Sequence, residues 1–165
     1  MMRLTLHTDY ALRVLLYVAL RPETRVSIRE VAQANRVSET HMVKVVHKLG
    51  RAGLIRTVRG RGGGIELGQA AEDIRIGAVV RLTEEERQLV SCMRPKAEAE
   101  DCVLSGFCQF YFVLGTALDA FMEVLDRWTL ADILKMSARD DMMRRLFIVD
   151  EVALNDQLPQ SGGAG

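Results

Sequence analysis

The sequence predicts a mainly α fold, a winged helix-turn-helix domain followed by a long amphipathic helix. Three observations carry this. A capping box opens a short helix after a first apolar one. A basic third helix has a single apolar face. A glycine-rich, arginine-bearing stretch then joins two short β-prone runs.

The opening MMRLTLHTDYALRVLLYVALRPE resembles a secretion signal only superficially, because Asp9 and Arg13 interrupt its apolar run and no small-residue cleavage site follows. It reads as a core helix capped by Thr8 or Asp9, running to about Leu20 and closed by Pro22. In SIRE, residues 27 to 30, the Ser27 oxygen takes a free amide of the first turn while Glu30 reaches back, so a short helix starts here and ends near Ala34. NRV makes a tight turn. Ser38 caps a third helix through about Arg51, and Gly53 sits where a left-handed C-terminal stop belongs. LIRTV and IELG are two strands around RGRGGG, residues 59 to 64, and a helix from Ile74 to Leu82 follows. The last predicted helix runs from about Gln109 to Met136, with Phe110, Val113, Leu114, Ala117, Leu118, Phe121, Leu125 and Trp128 on one stripe. The domain plan is therefore a winged helix-turn-helix over 1–83, a cysteine-bearing loop over 84–108, a long helix over 109–137 and a partly disordered tail over 138–165.

Zero net charge conceals an asymmetry. Residues 1–83 carry 14 Lys/Arg against 7 Asp/Glu, and residues 84–165 carry 8 against 15. A basic first half points to a polyanion partner, and the acidic second half to a different task. No run of 18 apolar residues predicts a membrane span, and the expected compartment is the cytoplasm.

The third helix specifies how a polyanion would be met. Met42, Val45, Val46 and Leu49 form its inward face, leaving Ser38, Thr40, His41, Lys44, His47, Lys48 and Arg51 outward. In a winged helix-turn-helix this helix enters the major groove and the hairpin tip touches backbone or minor groove. The candidate DNA contacts are Ser38, Thr40 and His41 toward base edges, Lys44 and Lys48 toward phosphates, and Arg59 and Arg61 at the hairpin tip, toward backbone or minor groove. The partner is double-stranded operator DNA. Enzymatic chemistry is not expected: GRGGG joins two strands rather than a strand to a helix, so it is no phosphate-binding fingerprint, and no nucleophile–base pair is visible.

All three cysteines, Cys92, Cys102 and Cys108, fall within LVSCMRPKAEAEDCVLSGFC, residues 89–108. An odd number cannot pair completely, and in a reducing compartment such a cluster points to metal or redox chemistry rather than a disulfide. Inert thiols are the bland alternative. The trio Glu84, Glu85 and Glu86 reads as a solvated helix end, and Met122, Met136, Met142 and Met143 as core filler.

Together, MRLTLHTDYALRVLLYVA, SIREVAQANRVSETHMVKVVHKLGRAGLIRTVRGRGGGIEL and the three downstream cysteines resemble the iron–sulfur winged-helix regulators that include NsrR and IscR, most of all the nitric-oxide-sensing NsrR group. The resemblance spans roughly residues 2–135. It implies a transcriptional repressor that works as a homodimer packed through the long helix. It also implies an iron–sulfur cluster held by Cys92, Cys102 and Cys108, with the partner subunit's Asp9 as fourth ligand. A 4Fe-4S cluster is preferred and 2Fe-2S left open. IscR-like proteins instead use a histidine three residues beyond the last cysteine, where this chain has Tyr111. The implied signal is nitric oxide. Iron or cluster status, redox stress and a cluster-free thiol switch stay open as alternatives on the same fold.

Overall fold

The computed structural model describes residues 3–85, 88–90, 93, 107–136 and 141–146. Helices α1 (Leu6–Leu20), α2 (Ile28–Ala34) and α3 (Glu39–Arg51) precede strands β1 (Ile55–Val58) and β2 (Gly64–Leu67), followed by α4 (Ile76–Thr83), α5 (Phe110–Asp126) and α6 (Leu130–Met136). This is a winged helix-turn-helix with an appended helical unit.

The core lies between α1, α3 and the wing. Ala11, Val14, Leu15 and Val18 of α1 are sealed against Met42, Val45 and Leu49 of α3 and Ile55 and Ile65 of the wing. Burial of this apolar set is the main favourable term holding the reading unit together. The capping box at Ser27 forms as predicted: Glu30 N donates to Ser27 Oγ at 3.1 Å, and Ser27 N to Glu30 Oε2 at 3.3 Å. The α2–α3 turn closes through Arg36 at φ 54°, and Gly53 at φ 74° stops α3, a conformation glycine adopts without steric cost. The two strands pair antiparallel, Ile55 opposite Leu67 and Val58 opposite Gly64.

Three expectations are corrected. The first helix begins earlier: Thr5, not Thr8 or Asp9, is its N-cap, and Thr8 N donates to Thr5 Oγ1 at 3.4 Å. Thr8 is instead buried one turn inside. The long helix is two helices. Trp128 O accepts from Ile76 N at 3.0 Å, and Leu130 N donates to Ile74 O at 2.8 Å. Those backbone groups are committed to the segment before α4 and cannot continue the helical ladder. Thr129 and Asp132 then start α6 with a second capping box, Asp132 N to Thr129 Oγ1 at 3.2 Å and Thr129 N to Asp132 Oδ2 at 3.0 Å. Finally, Glu84 is not solvated. It is 8% exposed and accepts from Thr5 N at 2.7 Å, from Thr5 Oγ1 at 3.0 Å and from Thr8 Oγ1.

The stripe foreseen on α5 divides in two. Leu114, Leu118, Phe121 and Leu125 are half-buried and Met122 is buried, on the helix that packs against α4. Val113 and Ala117 stay exposed, and Ala120 and Val124, outside the foreseen stripe, continue them as one line along the helix. Phe110, Phe112 and Val113 are 72, 70 and 57% exposed, an apolar face with no cover among the described residues. Met136 is 69% exposed, so it does not fill the core as expected.

Candidate nucleic-acid interface and metal centre

The candidate reading surface is α3 and the hairpin tip. Ser38 caps α3 with its side-chain oxygen, accepting from His41 N at 3.4 Å. Thr40, His41 and Lys44 are exposed along the outer face, over buried Met42, Val45 and Val46. The His41 ring stacks on Tyr10 of α1, centroids 6.4 Å apart and planes 25° from parallel. Arg59 and Arg61 are exposed at the hairpin tip among Gly60, Gly62 and Gly63. Ser38, Thr40, His41 and Lys44 thus share one helix surface, with Arg59 and Arg61 on the adjoining wing.

Lys48 is placed differently. Its ammonium reaches Glu85 Oε1 at 3.1 Å, and its side chain is only 28% exposed. It sits beside His7, whose imidazole is pushed below its ordinary range by burial and by the Lys48 charge, against opposing pulls from Glu85 and Glu84. His7 Nε2 is buried without a hydrogen-bond partner among the described residues. The junction between the N-terminus of α1, α3 and the segment leaving α4 is therefore a polar lock. Thr8 Oγ1 and Thr83 Oγ1 lie 2.8 Å apart within it, and Thr83 Oγ1 donates to Val79 O at 2.8 Å. Burial alone would raise the Glu84 carboxyl. The hydrogen bonds from Thr8 and Thr5 outweigh it and hold the group below the usual carboxylate range. Sequence reasoning missed Glu84 because its partners lie 76 and 79 residues away in the chain.

Of the four candidate metal ligands, two are described. Cys108 is a free, half-buried thiol directly ahead of Gln109, which caps α5. Asp9 lies in the first turn of α1, its side chain 42% exposed and paired with Arg13, Oδ2 to Nη2 at 2.9 Å and Oδ1 to Nε at 3.0 Å. Cys92 and Cys102 fall outside the described residues. Among the described residues no three His, Cys, Asp or Glu side chains converge as a metal site, and no helix is long and apolar enough to cross a membrane. Of the two described donors, the Cys108 thiol is the type that iron–sulfur groups use, while the half-exposed Asp9 carboxylate is held by Arg13.

Comparison with known proteins gives this architecture a family. The Rrf2 model, described as an iron-dependent transcriptional regulator, matches residues 4–136. The HTH-type transcriptional regulator NsrR of Geobacillus kaustophilus is 49% identical over 135 residues, 81% of this chain and 90% of that protein. The regulator of the same name from Bacillus subtilis is 44% identical over 146 residues, 88% of this chain and 97% of that one. Among solved structures, CymR, the global cysteine regulator of B. subtilis, superposes with a TM-score of 0.66 at 28% identity, covering 83% of this chain and 99% of its own. The fold is shared with T. potens IscR, at a TM-score of 0.65 and 24% identity over 97% of this chain and 94% of that one. These relatives are regulators and not enzymes. The chain belongs to the Rrf2 family of transcriptional regulators.

Proposed function

We propose that this regulator is a cytoplasmic homodimeric repressor whose grip on its operator is set by an iron–sulfur cluster that senses nitric oxide. The observation that carries the reading is the combination of a 49% identical NsrR relative with three cysteines gathered in the one segment between α4 and α5. In this reading Cys92, Cys102 and Cys108 hold the cluster, 4Fe-4S by preference over 2Fe-2S, and the partner subunit's Asp9 completes it. When bound, such a cluster supplies iron with affinity for nitric oxide.

The rest is work for the chain's own residues. The exposed line Val113, Ala117, Ala120 and Val124 on α5 offers the self-association surface. Pairing through it would bring the cysteine segment of one subunit near α1 of the other. Asp9 is free to leave its chain's surface because its Arg13 partner is an exposed, weakly held one. Tyr10, the next residue, stacks on His41 of α3, so the position of α1 is passed directly to the reading helix. Ser38, Thr40, His41 and Lys44 then meet the major groove and Arg59 and Arg61 the adjoining backbone, while Lys48 contributes from the edge, held back by Glu85. Releasing Asp9 would remove the tie between one subunit's α1 and the other's cysteine segment and relax the spacing of the two α3 helices. A hundredfold loss of operator affinity needs only about 2.7 kcal/mol of coupling.

The test is anaerobic purification of the wild type and of Cys102→Ala. The account expects a brown, iron- and sulfide-bearing wild type, and a colourless variant with about a hundredfold weaker operator binding. A colourless wild type that still binds its operator would refute it. A second reading, a cluster-free thiol switch, is favoured by two observations: the Cys108 thiol is free, and a 28% identical CymR from Staphylococcus aureus is known in an oxidised form. Reversible oxidation that changes DNA affinity in metal-free protein would select it.

A further inference from the structure

A charge cluster outside these contacts lies on the wing. The strand register sets Arg56 of β1 opposite Glu66 of β2. Arg25 joins them from the segment between α1 and α2, because Val26 pairs with Ile65, N to O at 3.2 Å one way and 2.8 Å the other. That approach needs a glycine in the wing: a Cβ at Gly64 would stand 2.8 Å from Val26 O and 3.1 Å from Arg25 Cβ. Glu66 Oε2 then accepts from Arg25 Nε at 2.8 Å, while Oε1 accepts from Arg56 Nε at 2.7 Å and from Arg56 Nη2.

Both arginines are gripped at the Nε edge. Among the described residues, this leaves both terminal nitrogens of Arg25 and Nη1 of Arg56 without a hydrogen-bond partner, and the side chains are 44 and 69% exposed. Glu66 itself is 20% exposed, and the guanidinium of Arg25, then that of Arg56, holds its carboxyl below the usual range. Exposed ion pairs add little stability, so folding alone does not account for the arrangement. A carboxylate that fixes the plane of two guanidinium forks leaves their outer donors oriented for a second, tetrahedral oxyanion. The cluster keeps a net positive charge and shares the hairpin with Arg59 and Arg61.

We propose that Arg25, Glu66 and Arg56 form a clamp for a DNA backbone phosphate beside the wing tip, with Arg25 and Arg56 touching the phosphate and Glu66 acting as their positioning residue. The clamp rests on the reading that this face binds duplex DNA.

The test uses the full chain, purified without oxygen, and anisotropy over a salt series with two duplexes, one selected in vitro from a randomised library and one of scrambled sequence. Arg25→Gln and Arg56→Gln should each weaken both duplexes about three- to tenfold and lower the salt slope by about one, the mark of a lost phosphate contact. Glu66→Gln removes a negative charge, yet it should weaken binding about threefold, and this effect should vanish when both arginines are already Gln. Tighter or unchanged binding by Glu66→Gln overturns the positioning role. Wild-type affinity and slope in the two arginine variants, whose exposed side chains can be replaced without unfolding the chain, overturn the clamp. If the wild type binds neither duplex, the DNA-reading surface falls with it; if the wild type binds and only the variants fail to differ, the clamp alone falls.

Discussion

The reading unit and α5 handle apolar surface in opposite ways. In the first, α1, α3 and the wing bury Val14, Leu15, Met42, Leu49 and Ile65 almost completely, and a buried carboxylate, Glu84, finds three donors within the same chain. On α5, only Met122 is buried, and Phe110, Phe112, Val113 and Val124 face outward. One region is finished by its own sequence. The other leaves its apolar line open among the described residues, and the proposed second copy of the chain would cover it.

That contrast can be broken from either side. The largest effect expected is from Val113→Glu. A carboxylate forced into an apolar interface should weaken self-association roughly a thousandfold, about 4 kcal/mol, while the melting of the reading unit stays put. Light scattering across a dilution series reads the first and circular dichroism the second. A variant that stays dimeric at wild-type concentrations would show that α5 is not the surface.

From the other side, Glu84→Ala should destabilise the reading unit by about 3 kcal/mol in denaturant titration, since it strands the donors of Thr5 and Thr8. A loss below ~0.5 kcal/mol would remove the polar lock from the account. The same group predicts an acid limb. Its folded carboxyl lies below the ordinary value of 4.5, so its contribution is fully present above that value and is lost as pH falls through the lower folded one. Glu84→Gln should flatten that limb; an unchanged pH profile of stability would contradict the assignment. The smallest effect is expected for Arg13→Ala. Its exposed pair with Asp9 should be worth under about 0.5 kcal/mol in stability by the same denaturant titration, leaving Asp9 available elsewhere.

What was legible in the sequence follows the range of the interactions. Ser27–Glu30, Ser38 and Gly53 are local signals, resolved within four residues, and α2, α3 and the wing emerged close to their observed limits. The break between α5 and α6 was also legible: TLAD, residues 129 to 132, is a capping box of the same kind as SIRE, overlooked because the apolar spacing ran on through it. Glu84 was not legible. Its neighbours Glu85 and Glu86 made it look like part of a solvated acidic run, and its partners belong to the first helix. The Lys48 ion pair was hidden for the same reason, since its outward position on α3 does not reveal Glu85 across the junction. The wing arginines were read for their charge, while the Glu66 carboxylate between Arg25 and Arg56 needed the register and the Val26–Ile65 pairing to become visible.

Nitric oxide titrated into anaerobically purified protein, with operator affinity followed by anisotropy, tests the central claim most directly. The account predicts about a hundredfold weaker binding, roughly 2.7 kcal/mol, once the iron is saturated. Operator affinity that stays constant through complete reaction with nitric oxide would contradict it.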